Sequence, residues 1–125
     1  MSYDTELVGI GVTDQFTVNI HSGDTFTRGT HEGYPVKFTG NREMGHCSAD
    51  DHFDGIVEAI NNDGTLTVVK RGWKKIAYSG TAPTAGRVKL EADGAGGVRE
   101  DSSDGEEYLV GDVDTTNGTL TIWLG

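Results

Sequence analysis

Arg87-Val88-Lys89-Leu90-Glu91-Ala92 decides the class of fold. Apolar and charged residues alternate strictly, so Val88, Leu90 and Ala92 share one face and Arg87, Lys89 and Glu91 share the other. A period of two with one oily and one charged face is the pattern of an antiparallel strand that covers a core on one side and meets water on the other. Working outward, Thr65-Leu66-Thr67-Val68-Val69-Lys70 places Leu66 and Val68 inward. Thr119-Leu120-Thr121-Ile122-Trp123-Leu124 does the same with Leu120, Ile122 and Leu124. Residues 35–38, 53–60, 73–78 and 107–113 predict further strands, and Asp14–Ile20 one more, with Phe16, Val18 and Ile20 alternating. No stretch carries a helical period. Residues 50–60 come nearest, but Gly55 and two β-branched residues favour a strand there.

The connections have turn chemistry of their own. Asn61-Asn62-Asp63-Gly64 and Thr115-Thr116-Asn117-Gly118 join apolar runs, and Asn and Gly suit the backbone of tight hairpins. Glycine is abundant at 19 residues while proline is rare at two, which predicts many tight turns rather than disorder. The two hairpins also echo each other. Ile56-Val57-Glu58-Ala59-Ile60, a turn, then Gly64 to Val69 resembles Leu109-Val110-Gly111-Asp112-Val113, a turn one residue longer, then Gly118 to Trp123. Duplication and the convergence of any two good hairpins both explain this.

The 125 residues fit one domain. The expected fold is all-β, a small antiparallel barrel or sandwich with glycine-rich turns and an extended N-terminal segment. Residues 1–32 read as an arm or strand segment, and 33–125 as the barrel domain. The single Cys47 rules out an internal disulfide. The acidic start lacks the basic region of a signal peptide, and no apolar run approaches the ~20 residues of a membrane span. Twenty acidic residues against ten basic ones leave a net charge of −10. That balance disfavours nucleic acid, whose binding needs clustered cations. The short basic groups Lys70-Arg71 and Lys74-Lys75 read as strand-edge charges. Dense carboxylates with only five lysines suit either ordinary solubility or a salt-rich setting, where screening shortens charge repulsion to a few ångströms.

Candidate chemistry is thin. His46-Cys47-Ser48-Ala49-Asp50-Asp51-His52 has one Cys and two His without paired metal-ligand spacing, and reads as a polar loop. The acidic run 101–107 lacks the ligand spacing of a calcium loop and reads as a solvated turn. Gly94-Ala95-Gly96-Gly97 fails both phosphate fingerprints, and no nucleophile elbow or zinc-protease motif occurs. No catalytic residue, metal or cofactor is expected, and no enzyme activity. Trp123 points opposite to Leu120, Ile122 and Leu124, and an outward Trp is a candidate interface anchor.

The order of these signals resembles a known family. Gly33-Tyr34-Pro35-Val36-Lys37-Phe38-Thr39-Gly40 leads to Phe53-Asp54-Gly55-Ile56-Val57-Glu58-Ala59-Ile60, then Tyr78-Ser79-Gly80-Thr81-Ala82-Pro83, Gly86 with Leu90, Gly96-Gly97-Val98, and the closing hairpin of 110–114 and 119–124. Over about residues 33–125 this is similar to the capsid decoration, or cement, proteins of tailed viruses of bacteria and archaea. The resemblance implies a small β-rich homotrimer on the capsid exterior. There it would bridge and stabilise major capsid proteins, with an N-terminal arm completing the contact. With the acidity, it implies a virus of a halophilic archaeon and manufacture in the host cytoplasm. Phe16, Val18 and Ile20 would then form a donor strand for a capsid or subunit partner. The alternatives are another virion component, such as a turret, fibre base or tail protein, or a carbohydrate- or calcium-binding β module.

Overall fold

A computed structural model describes residues 14–125. Nine strands follow one another: β1 (Asp14–Ile20), β2 (Pro35–Gly40), β3 (Glu43–His46), β4 (Gly55–Ile60), β5 (Thr65–Ala77), β6 (Gly86–Ala92), β7 (Val98–Glu100), β8 (Glu106–Asp114) and β9 (Thr119–Leu124). No helix occurs among the described residues. The chain is all-β, as its alternation predicts.

The organising element is β5, 13 residues long. Its first half pairs with β4 and with β1, both antiparallel. β4 pairs with β2, β2 with β3, and β3 returns to β1 through a parallel ladder at Asn19–Glu43 and Ile20–Met44. Five strands thus close a barrel. Its interior holds Val18, Phe26, Val36, Met44, Val57, Ile60, Leu66 and Val68. The second half of β5 pairs with β9 and starts a second sheet in the order β5-β9-β8-β6-β7. A parallel bridge from Tyr78 to Val98 brings β7 back beside the end of β5, so this sheet curls around its own core. That core includes Phe53, Ile56, Val69, Ile76, Val88, Leu90, Val98, Val110, Leu120, Ile122 and Leu124.

Two expected strands, 65–70 and 73–78, are therefore the two halves of one. The change of barrel falls at Gly72, whose φ of 126° is a twist that side chains with a Cβ rarely adopt. Adjacent residues on the shared hairpin face different cores. Ile56 and Val69 enter the second, while Val57 and Val68 enter the first. β3 and β7, four and three residues long, escape sequence reading because a period of two needs more residues than that to show.

The hairpin echo has a structural counterpart. β4 loses register between Val57 and Ala59, opposite Val68 and Thr67. β8 loses it between Val110 and Asp112, opposite Ile122 and Thr121. Val57 matches Val110 and Val68 matches Ile122 in the sequence comparison, so the two bulges coincide. Alternation alone does not demand a bulge at one fixed place, and this coincidence favours duplication over convergence.

β1 stands in the wall of the first barrel. Val18 is 4% exposed inside the first core, and Phe16 and Ile20 are half-buried against it. These three side chains form barrel wall, because β1 is the element that joins β3 to β5. Phe26 lies in the same core. The described part of the N-terminal segment, 14–32, thus belongs to the barrel, and residues 1–13 lie outside the described residues.

Candidate functional site

The outer face of the second sheet is built by register. Trp73 on β5 sits opposite Trp123 on β9, Trp123 opposite Leu109 on β8, and Leu109 opposite Arg87 on β6. Directly paired residues point the same way, so one row crosses four strands as Trp73, Trp123, Leu109, Arg87. The two indoles meet edge to face, with centroids 5.5 Å apart and planes at 66°, the geometry that ring quadrupoles favour. Both remain half-exposed, and Leu109 is 36% exposed. Leu120, Ile122 and Leu124 face the core on the other side, so Trp123 has the outward orientation read from the sequence.

Beside the row lies a recess of about 510 Å³ lined by Trp123, Leu109, Tyr108, Phe53, Lys70 and Arg87, among others. Its floor is stiff. The Phe53 and Tyr108 rings stack 4.8 Å apart and nearly parallel, and the Tyr108 hydroxyl donates to the Phe53 carbonyl at 3.3 Å. Burial pushes the Tyr108 pKa up, so it stays a neutral donor.

The remaining sequence candidates are held by structural bonds. His46 closes β3, stacks on Phe26 at 3.9 Å and lies 4.9 Å from His31. Its Nε2 is 2.8 Å from the Thr25 carbonyl and must donate to it. His31 Nδ1 is 2.7 Å from the Thr27 amide and must accept from it. Neutral His31 therefore carries its proton on Nε2. That leaves His46 Nδ1 as the one free ring lone pair of this pair, short of the two or more ligands a metal needs. Burial, and then the neighbouring His46, lower the His31 pKa and keep it neutral. The Cys47 thiol is pushed up to about 12, first by burial and then by Asp51. A thiol in that state is a poor nucleophile at neutral pH. In the acidic run, Asp101 Oδ1 accepts the amides of Ser103 at 2.9 Å and Asp104 at 3.1 Å, so the run folds as a self-capped turn. Among the described residues no three His, Cys, Asp or Glu side chains are grouped to hold a metal.

Sequence reasoning missed one buried charge. Glu91 faces away from the second core but is covered, at 1% exposure. The 48–51 loop covers it, with Asp50 N donating to the Ala92 carbonyl and Ala92 N to that of Asp51. Arg99 Nε donates to Glu91 Oε2 at 2.8 Å, and the same guanidinium reaches Asp50. Oε1 has no donor. Arg99 draws the Glu91 pKa down, but contact with Asp50, burial and contact with Asp101 outweigh it, and the net displacement is upward. Glu91 thus gives up its proton at a higher pH than an ordinary glutamate, and Asp50 and Asp101, both displaced downward, at a lower pH than ordinary aspartates. A raised folded-state pKa contributes stability at low pH that is lost as pH rises through that value, whereas the two aspartates contribute in the opposite sense. Glu91→Gln supplies a donor at every pH. As pH rises above the ordinary glutamate value, its melting temperature is expected to fall less than that of the parent; equal falls in the two proteins would reject the raised Glu91 pKa.

No protein-family model matches the chain, and no curated protein matches it. The reading of its function therefore rests on the geometry above and on the order of its turns and strands. Of the four residues singled out as interface candidates, only Trp123 lies on the outer face of the second sheet. Its neighbours in the row were not legible, because β5 and β9 are far apart in sequence and nothing local to either strand reveals their pairing.

Proposed function

We propose that this chain is a structural protein of a virion, a capsid decoration protein that docks on the exterior of the shell as a homotrimer and bridges neighbouring major capsid proteins. The observation that carries the reading is the outward Trp73–Trp123–Leu109–Arg87 row on a sheet with its own core. Tryptophan and arginine dominate the energetics of protein contacts, and a β-sheet face presents them without the ordering cost of a loop. The strand and turn order over 33–125 adds the family resemblance. A shell offers many equivalent sites, so each contact gains from multivalent attachment even when it is weak alone.

The test is co-sedimentation of the purified protein with undecorated expanded shells of its virus, together with mass photometry. The expected results are saturable shell binding and a particle of three times the 13.3 kDa of one chain. A monomer that stays in the supernatant overturns the proposal.

A further inference from the structure

The charges around the tryptophan row are distributed unevenly. Lys75 follows Trp73 by two residues on β5, and Lys89 follows Arg87 by two on β6, so both share the row's face. Lys70 lines the recess with Trp123. The acids nearby are mostly engaged. Glu107, which stands directly across from Lys89 in register, faces Arg87 at 3.7 Å, Glu106 faces His52 at 3.8 Å, and Asp54 accepts the Phe38 amide at 3.0 Å. Asp114, whose ionised form Lys75 also favours, is held by Asn117 and the Thr116 amide, and Asp112, two strands from Lys75 across Thr121, is the exception. Among the described residues Lys70, Lys75 and Lys89 make no ion pair. Three of the five lysines of a chain of net charge −10 thus stand without an ion pair among the described residues around this aromatic face.

We infer that this face docks a carboxylate-bearing protein surface, with the Trp73–Trp123–Leu109 stretch covering an apolar spot and Lys70, Lys75 and Lys89 meeting acidic side chains around it. An aromatic centre with a charged rim is the anatomy of a protein contact. Complementary rim charges steer encounter and select among partners. The inference rests on the proposed docking role of the same face and adds the chemistry of what it meets. A nucleic acid would bring anionic groups too, but the indoles pack edge to face against each other instead of lying open as successive stacking platforms for bases.

The chain's two tryptophans both lie in the row, so intrinsic fluorescence reports on this face alone. The full chain is titrated at low salt with poly-L-glutamate, poly-L-lysine and an oligothymidylate. Poly-L-glutamate is expected to shift the emission, and the triple variant Lys70→Glu, Lys75→Glu, Lys89→Glu to bind it at least tenfold more weakly. The three lysines are exposed, so unchanged circular dichroism is expected and confirms that the variant folds. Failure of poly-L-glutamate to bind, equal binding by the variant, or preference for the oligothymidylate overturns the inference. Shell co-sedimentation separates the two levels. A triple variant that still pellets with shells as the parent does removes the inference and leaves the decoration role. Poly-L-glutamate binding without shell binding does the reverse.

Discussion

Ile56→Ala is expected to lower the unfolding free energy by about 2–5 kcal/mol, in one transition. Ile56 is fully buried in the second core, yet it belongs to β4, a strand of the first barrel. Its neighbour Val57 is fully buried in the opposite direction. The void left by truncation cannot close by shifting β4, because any shift that fills one core opens the other. Poor relaxation places the cost high in the usual range for such deletions. The shared hairpin also predicts that the two cores melt together. Tryptophan fluorescence reports the second sheet, and far-ultraviolet circular dichroism reports both. Their denaturant midpoints should coincide in the parent and the variant, with the variant's midpoint lowered at unchanged slope. Separated midpoints would show two bodies that fold independently and would refute the shared-wall account.

Gly97→Ala is expected to destabilise by about 3 kcal/mol, at the upper end of overpacking costs. A Cβ at this position would stand 2.5 Å from the Ala77 carbonyl oxygen and 3.0 Å from its carbon. Both are backbone atoms at the end of β5, so no rotamer change relieves the clash. The site is also where the second sheet closes on itself, next to the Tyr78–Val98 bridge and the Ser79 N to Val98 carbonyl bond of 2.9 Å. Asp93 organises the same loop. Burial opposes its ionisation, but the amides of Ala95 at 2.7 Å and Gly97 at 3.0 Å and the Ser79 hydroxyl at 2.8 Å hold its carboxyl below the usual range. Hydrogen exchange should show lost protection at Ser79 in the variant and little change at Asn19 and His21, whose bonds lie in the first barrel. Uniform loss across both sheets would point to global unfolding rather than an opened closure.

The alternation at 87–92, 65–70 and 119–124 declared the strands because each runs long enough for two faces to separate. The repeated hairpin was legible for the same reason, down to the residues that flank its bulge. What the sequence hid was non-local. The pairing of β5 with β1 and β9 joins segments dozens of residues apart, and it is what sets Phe16, Val18 and Ile20 into the barrel wall. The partnership of Trp73 with Leu109 and Arg87 is hidden likewise, since a row across a sheet leaves no mark along the chain. Glu91 is the sharpest case. In sequence it is the outward charge of a model strand, and only the loop folded over it makes it buried.

The long strand β5 has one further consequence. Thirteen residues at ~3.3 Å each make a rod of roughly 40 Å, bonded along its first half to β1 and β4 and along its second to β9. A pull along such a rod must shear many parallel bonds at once, whereas a pull across a sheet edge peels them one by one. Tension applied along β5 therefore loads its ladders in shear. In the proposed decoration role, a chain that spans two subunits of a shell would carry its load best with that strand laid across the seam.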